Sequence, residues 1–237
     1  MQSPAFGGQA TKVWRRSAQG LAVDDVIRAE GGDLEAMQRR GSEAPVIAAR
    51  ALELSRGWLH PRAAVRYVVV MGRKHHKIML EDGVPWALSA VQADQLSSAC
   101  QLAAVVCTIG PQLEEKASLE FKRDPALAVA IDAVGSAALH RLQVWACQRV
   151  EQQAARRSWH ASLPLSPGVG GWDLVAGQRQ LFGIVDAARI EVTLTASSMM
   201  RPLKSTSFVL GLGPGLATEG TECDLCELAD ICRYRSR

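Results

Sequence analysis

Three of the six cysteines crowd the C-terminal end as Cys223-Asp-Leu-Cys226 and, after five residues, Cys232. Two thiolates separated by two residues turn back on one ion or cluster, and a third arrives after one more short turn. This C-x2-C-x5-C spacing fits three ligands of an iron–sulfur cluster. A structural zinc and three thiols packed in an ordered tail are the alternatives. A fourth ligand has no neighbour just before Cys223, which leaves Cys100, Cys107 and Cys147 as distant candidates. Extracellular disulfide frameworks spread their cysteines to staple loops, so this crowding points instead to a reducing, cytoplasmic setting.

A second chemical signal is the turn Ser166-Pro167-Gly168-Val169-Gly170-Gly171-Trp172. Its glycines allow backbone N–H groups to approach a ligand, Pro167-Gly168 suits a turn with positive φ, and Trp172 offers a flat apolar wall. The G-x-G-G spacing fits neither a dinucleotide fingerprint nor a P-loop, and a turn that only reverses the chain is the competing reading. Arg73-Lys-His-His-Lys77 reads as a solvated edge beside a hairpin. Glu114-Glu115-Lys116 lies in helix-like sequence, so it lacks the strand setting of nuclease carboxylates. No nucleophile elbow or H-E-x-x-H zinc motif occurs.

The elements that position these residues follow from periodicity. Residues 1–22 lack apolar periodicity and are expected to form a loosely held leader; residues 23–213 form the folded domain and 214–237 a Cys-rich tail. Good helix formers run from Asp33 to Leu54, broken at Gly41 and Pro45. Ala63–Met71 is β-branched and of strand length, and Glu81-Asp82-Gly83 joins two flanking strands in a hairpin. Leu102–Ile109 is a further strand, stopped by Gly110-Pro111 before a helix over 112–121. Asp124-Pro125 opens a long helix with an apolar stripe at Leu127, Ile131, Val134, Ala138, Leu142 and Trp145. The small residues Gly135 to Ala138 within it favour close helix packing. A helix over 174–187 and strands over 190–195 and 207–212 complete the chain. Helices and strands mix without regular βαβ units, which predicts an α+β protein with a small antiparallel sheet.

The 237 residues bury a substantial core without staples. Lysine and arginine exceed aspartate and glutamate by only 27 to 24, too weak a field for a nucleic-acid partner. No apolar run approaches the ~18 residues of a membrane span, so no membrane partner is expected.

Four segments, in order, resemble the activation domain of cobalamin-dependent methionine synthase and its short stand-alone relatives. They are Thr108-Ile-Gly-Pro-Gln-Leu-Glu-Glu115; Asp124-Pro with Asp132-Ala-Val-Gly-Ser136; Ser166 to Trp172; and Val192-Thr-Leu-Thr-Ala-Ser-Ser-Met-Met-Arg-Pro-Leu-Lys-Ser205. The resemblance covers about Val23 to Gly213, and its sharpest pieces are the Ser-Pro-Gly turn and the Met-Met-x-Pro-x-Lys-Ser segment. It implies an α+β fold that binds S-adenosylmethionine and docks on a corrinoid-binding methyltransferase or corrinoid protein. The partner presents cobalamin, and an electron donor supports reductive methylation of its cob(II) form. The residues lining the cofactor cleft would be Ser166, Pro167, Gly168, Gly170, Gly171, Trp172, Met199, Met200, Pro202, Lys204 and Ser205, with Cys223, Cys226 and Cys232 holding metal. Where the family commonly has Arg, Tyr and Glu, this chain has Pro164, Val169 and Ala196. An Arg fork is the natural partner of the S-adenosylmethionine carboxylate. Its loss motivates the alternative of a non-enzymatic corrinoid-protein or iron–sulfur adaptor that no longer binds S-adenosylmethionine.

Anaerobic purification separates the readings of the tail. A cluster gives a brown protein that contains iron and sulfide, zinc gives a colourless protein with stoichiometric metal, and neither result leaves only packed thiols.

Overall fold

In the computed structural model, residues 10–216 other than 82 and 84 are described, together with residue 224. Cys223, Cys226 and Cys232, and with them the proposed metal site, lie outside the described residues. The chain begins with strand β1 (Lys12–Arg15) and three helices, α1 (Val23–Ala29), α2 (Leu34–Arg39) and α3 (Ala44–Ser55). Strand β2 (Arg62–Lys74) then folds into the hairpin β3 (Lys77–Leu80) and β4 (Pro85–Ala87), with Gly83 at φ +76° in the connecting turn. A short helix α4 (Ala90–Gln95), strand β5 (Gln101–Thr108), helix α5 (Gln112–Glu120) and the long helix α6 (Pro125–Ala155) follow. After β6 (His160–Ala161) and the glycine turn come helix α7 (Leu174–Ile184), a 3-10 turn (Ala187–Ile190), the small ribbon β7 (Thr193–Leu194) and β8 (Met200–Arg201), and strand β9 (Ser205–Gly213).

β4, β3, β2, β5, β9 and β6 pair in that order, and β1 joins the outer edge of β2 to make a seven-stranded sheet. Every pairing is antiparallel. The architecture is therefore α+β, with a sheet larger than the sequence led us to expect. β2, β5 and β9 are central because both of their faces are covered. All eight residues of β5 are buried, which its unbroken apolar run allows. Alternation sends Ala63, Val65, Tyr67, Ala103, Val105, Phe208 and Leu210 to one face, against α6. It sends Ala64, Val68, Leu102, Ala104, Val106 and Val209 to the other, against Trp86, Leu165, Trp172, Leu181 and Ile184.

α6 serves two layers. Its 31 residues extend about 46 Å. Its second half lays Leu142, Ala146, Cys147, Val150 and Ala154 on the sheet. Its first half passes the sheet's end and packs Leu127, Ile131, Val134 and Ala138 among α1, α3 and α5. By length and composition it is apolar enough to cross a bilayer, and burial on two sides accounts for that composition. The Asp124 carboxylate caps the helix by accepting from Leu127 N at 3.0 Å, and Pro125 occupies the first turn, where no N–H is needed.

Part of the expected leader is structured. Lys12–Arg15 pairs with Arg62–Val65, and Trp14 is buried and set edge-on to Trp145 at 6.0 Å. A four-residue strand carries too little periodicity to stand out, and its partner lies about fifty residues along the chain. Ile190–Thr195 is not a continuous strand: Ile190 ends a 3-10 turn, Glu191 reverses the chain at φ +61°, and only Thr193–Leu194 pairs.

Gly135 is where α6 meets its neighbours most closely. A Cβ there would stand 2.8 Å from Leu113 Cδ2 and 3.3 Å from Lys204. Gly135→Leu is expected to cost about 1–3 kcal/mol in chemical unfolding, as overpacked sites do. Gly183 has open space around its Cβ position, so Gly183→Ala should gain up to about 1 kcal/mol from helix propensity.

Candidate functional site

The double-methionine segment ends in a set of bonds that fixes where β9 begins. Lys204 Nζ lies 2.7 Å from Asp132 Oδ2 and 2.9 Å from Ser136 Oγ, both one helical turn apart on α6. Gly135, between them, leaves room for the lysine stem. The Lys204 carbonyl accepts from Ile109 N at 3.2 Å. The buried Ser205 hydroxyl sits 2.8 Å from Pro202 O and 3.0 Å from the Thr108 hydroxyl, which in turn accepts from Gly110 N. Leu203 N donates to Glu114 Oε2 at 2.7 Å, so that carboxylate holds the same segment. Lys204, Ser205 and Pro202 are thus spent on holding the chain. Met199 is half exposed, and Met200 leans on the apolar cluster that contains Leu165 and Trp172.

The glycine turn is built around its own backbone. Gly168 N donates to Trp172 O at 2.8 Å, Val169 N to Ser166 O and Trp172 N to Val169 O, each at 3.2 Å. Gly168, Gly170 and Gly171 all have positive φ (90°, 61° and 75°), which a side chain at any of them would strain. The N–H groups of Gly170 and Gly171 take no part in these three bonds. Trp172 is only 3% exposed and tilts against Trp86 at 5.8 Å. Its indole N–H points to Gln180 Oε1 at 3.4 Å, so the ring anchors the turn to the core. Gly177 on α7 lets the helix close on that ring and on Pro167, each 2.9 Å from where a Cβ would stand. On the far side Gln92 Nε2, from α4, donates to Val169 O at 3.0 Å. The hollow among Val91, Gln92, Pro164, Ser166 and Gly170 is only about 10 Å³, too small for a ligand.

Both segments meet on β9. Leu165, at the start of the turn, exchanges two 2.9 Å bonds with Val209, and Ser162 N donates to Gly211 O. Odd-numbered residues of β9 therefore aim their N–H and C=O groups at the outer edge. Ser207 lies one step before Leu165's pairing, so its backbone groups face that edge where the turn has moved away. Its hydroxyl bonds Gln178 Oε1 of α7 at 3.0 Å. The edge of β9 from Ser205 to Val209 thus lies between the α7 and α6 layers that cover the two faces of the sheet, with Ser207 and Val209 themselves buried. Backbone donors and acceptors there suit the polar edges of a nucleoside. The turn from Ser166 to Trp172 carries no arginine to meet a carboxylate.

No family model matches the sequence, and no curated protein does. Among solved structures, the chain superposes on the crystal structure of the MetH reactivation domain bound to AdoHcy. The TM-score is 0.68 at 14% sequence identity, over 98% of this chain and 88% of that one. The fold is of the reactivation-domain type. The likeness extends through the whole α+β unit and so includes the elements that carry the turn, β9 and α6.

Other expected residues take structural roles. Cys107 and Cys147 are buried on the α6 face of the sheet and Cys100 is exposed. Burial, and then the nearby Cys147, push the Cys107 thiol well above its ordinary range, so it is an inert core group. Among the described residues no cluster of three or more metal-ligating side chains occurs. Arg73 bonds Leu96 O and Ala99 O and ties the hairpin to the loop before β5. Gln178 and Ser207 were not singled out in the sequence, since a glutamine in a helix and a serine in a strand carry no local signal. The Lys204–Asp132 contact is half exposed on the aspartate side. A double-mutant cycle with Lys204→Met and Asp132→Asn should return a coupling of about 0.5–1 kcal/mol. A coupling of zero would remove the clamp.

Proposed function

We propose that this chain is an accessory protein for a corrinoid-dependent methyltransferase of the methionine synthase type, supporting S-adenosylmethionine-dependent reductive methylation of cob(II)alamin. The observation that carries this reading is the reactivation-domain fold, together with the presence on one strand edge of the two segments that resemble that family. In this reading the Gly170 and Gly171 N–H groups and the Ser207 backbone hold the nucleoside of S-adenosylmethionine. Lys204, Ser205 and Gln178 keep β9 in place beneath it. S-adenosylmethionine supplies an electrophilic methyl group, the corrinoid comes from a cytoplasmic partner, and the electron comes from a separate donor. The tail cysteines would carry that electron through an iron–sulfur cluster or hold the tail with zinc.

The exposed apolar side chain of Met199, in the segment that leads into β9, suits a face that a partner covers. Without the Arg fork, the amino-acid carboxylate stays in solvent and affinity is modest.

Calorimetry on the full chain should show binding of S-adenosylmethionine and of S-adenosylhomocysteine. Pro164→Arg should tighten both by about tenfold, the worth of one charge-assisted contact, and Pro164→Ala should not. Absence of binding by both nucleosides, with a corrinoid protein still bound, would select the adaptor reading. Absence of all three would overturn the proposal.

A further inference from the structure

A large open space lies apart from the edge of β9. A cavity of about 1240 Å³ opens at the end of β1 and the start of β2, between the 15–23 segment, α3, His60–Arg62 and Pro111–Gln112. In the strand order β1, β2, β5, β9 it lies at the opposite edge, roughly 14 Å away at the usual spacing of strands. Neither the glycine turn nor the double-methionine segment contributes to it. Its volume exceeds the ~300–1,000 Å³ that holds a drug-sized ligand.

The lining has two characters. Arg15, Arg16, Arg56 and Arg62 oppose only Glu53 and Glu191, which leaves the space positive. Leu21, Val23, Ala49, Leu52 and Leu59 supply aliphatic walls, and no aromatic ring other than the His60 imidazole lines it. Such walls suit an aliphatic body and offer a nucleobase no stacking platform. The charged groups differ sharply in freedom. The Arg62 side chain is 17% exposed while its partner Glu191, 2.7 Å away, is 70% exposed. Arg62 Nε is buried and has no hydrogen-bond partner among the described residues. A guanidinium presents a fork for two oxygens, and Glu191 fills one prong. Arg62 also holds the Glu191 carboxyl below its usual range, first through their hydrogen bond and then through charge. An exposed carboxylate leaves such a pair at little cost, whereas the arginine side chain is largely buried.

We propose that this cavity binds an amphipathic organic anion, a carboxylate or phosphate on an aliphatic body, with Arg62 as its anchor and Glu191 as the carboxylate it displaces. Arg16 also lines the cavity, and its guanidinium is held at the wall by a bond to Arg141 O at 2.6 Å and by the Trp145 ring, which adds to the positive surroundings of Arg62. The site is independent of S-adenosylmethionine binding, and its test needs neither corrinoid nor methyl donor.

The full chain is titrated with octanoate, octyl phosphate and the neutral octanol, followed by calorimetry and by amide NMR shifts at Leu52, Leu59, Arg62 and Glu191. One or both anions should bind and shift these residues, and the tighter one identifies the headgroup. Octanol should bind at least about tenfold more weakly, as expected when a charged contact is lost. Arg62→Met should weaken the anion about tenfold, and Glu191→Gln should tighten it by severalfold. The opposite sign of the second variant excludes a general loss of structure, and it carries the test alone if Arg62→Met fails to fold. No binding by either anion, octanol as tight as the anions, or weaker binding in Glu191→Gln would overturn the proposal.

Discussion

The register of β9 against β5 decides which residues reach each face of the sheet, and a single ammonium group helps to hold it. Lys204 reaches across to Asp132 and Ser136 of α6, while its carbonyl and the adjoining Ser205 close on Ile109 and Thr108. A slip of one residue would turn Ser205, Ser207 and Val209 to the α6 face and bring Phe208 and Leu210 out of the apolar layer that they fill. The clamp costs the chain three polar side chains that could otherwise bind ligand. In return it sets the edge of β9 at Ser207 between α6 and α7.

α6 is the other half of that arrangement. Because its first half packs with α1, α3 and α5 and its second half with the sheet, it ties the helical layer to the strand layer as one body. Gly135 shows why the helix needs small residues at that point: the stem of Lys204 and the side chain of Leu113 already occupy the space. The small-residue stripe is thus spent on packing, and the polar residues beside it, Asp132 and Ser136, receive the lysine. On the opposite face Gly177 plays the same part for α7, allowing Trp172 and Pro167 to seat the glycine turn.

Much of this was legible from local pattern. The Asp124-Pro125 helix start, the hairpin at Gly83, the break between α2 and α3, and the β-branched runs of β2 and β5 each rest on signals carried by neighbouring residues. The sheet's extent and the leader's strand were not, because Lys12–Arg15 is defined by a partner at Arg62–Val65. The same limit applies to the site. The glycine turn and the Met-Met-x-Pro-x-Lys-Ser segment announce themselves by composition, but Trp172 and Lys204 read in sequence as ligand-lining groups, and the fold spends them on a core contact and a clamp. Gln178 gains meaning only from Ser207, and the arginine-lined cavity only from the meeting of segments far apart in the chain. Periodicity reports which face a residue takes and is silent on what stands opposite.

The central claim is that the edge of β9 beside the glycine turn is the nucleoside-binding surface of this reactivation-domain fold. A crystal structure of the full chain with S-adenosylhomocysteine tests it most directly. The account places the nucleoside along Ser205–Val209, within hydrogen-bonding reach of the Ser207 backbone and of Gly170 or Gly171. Density for the ligand in the arginine-lined cavity, or anywhere away from β9, would contradict it.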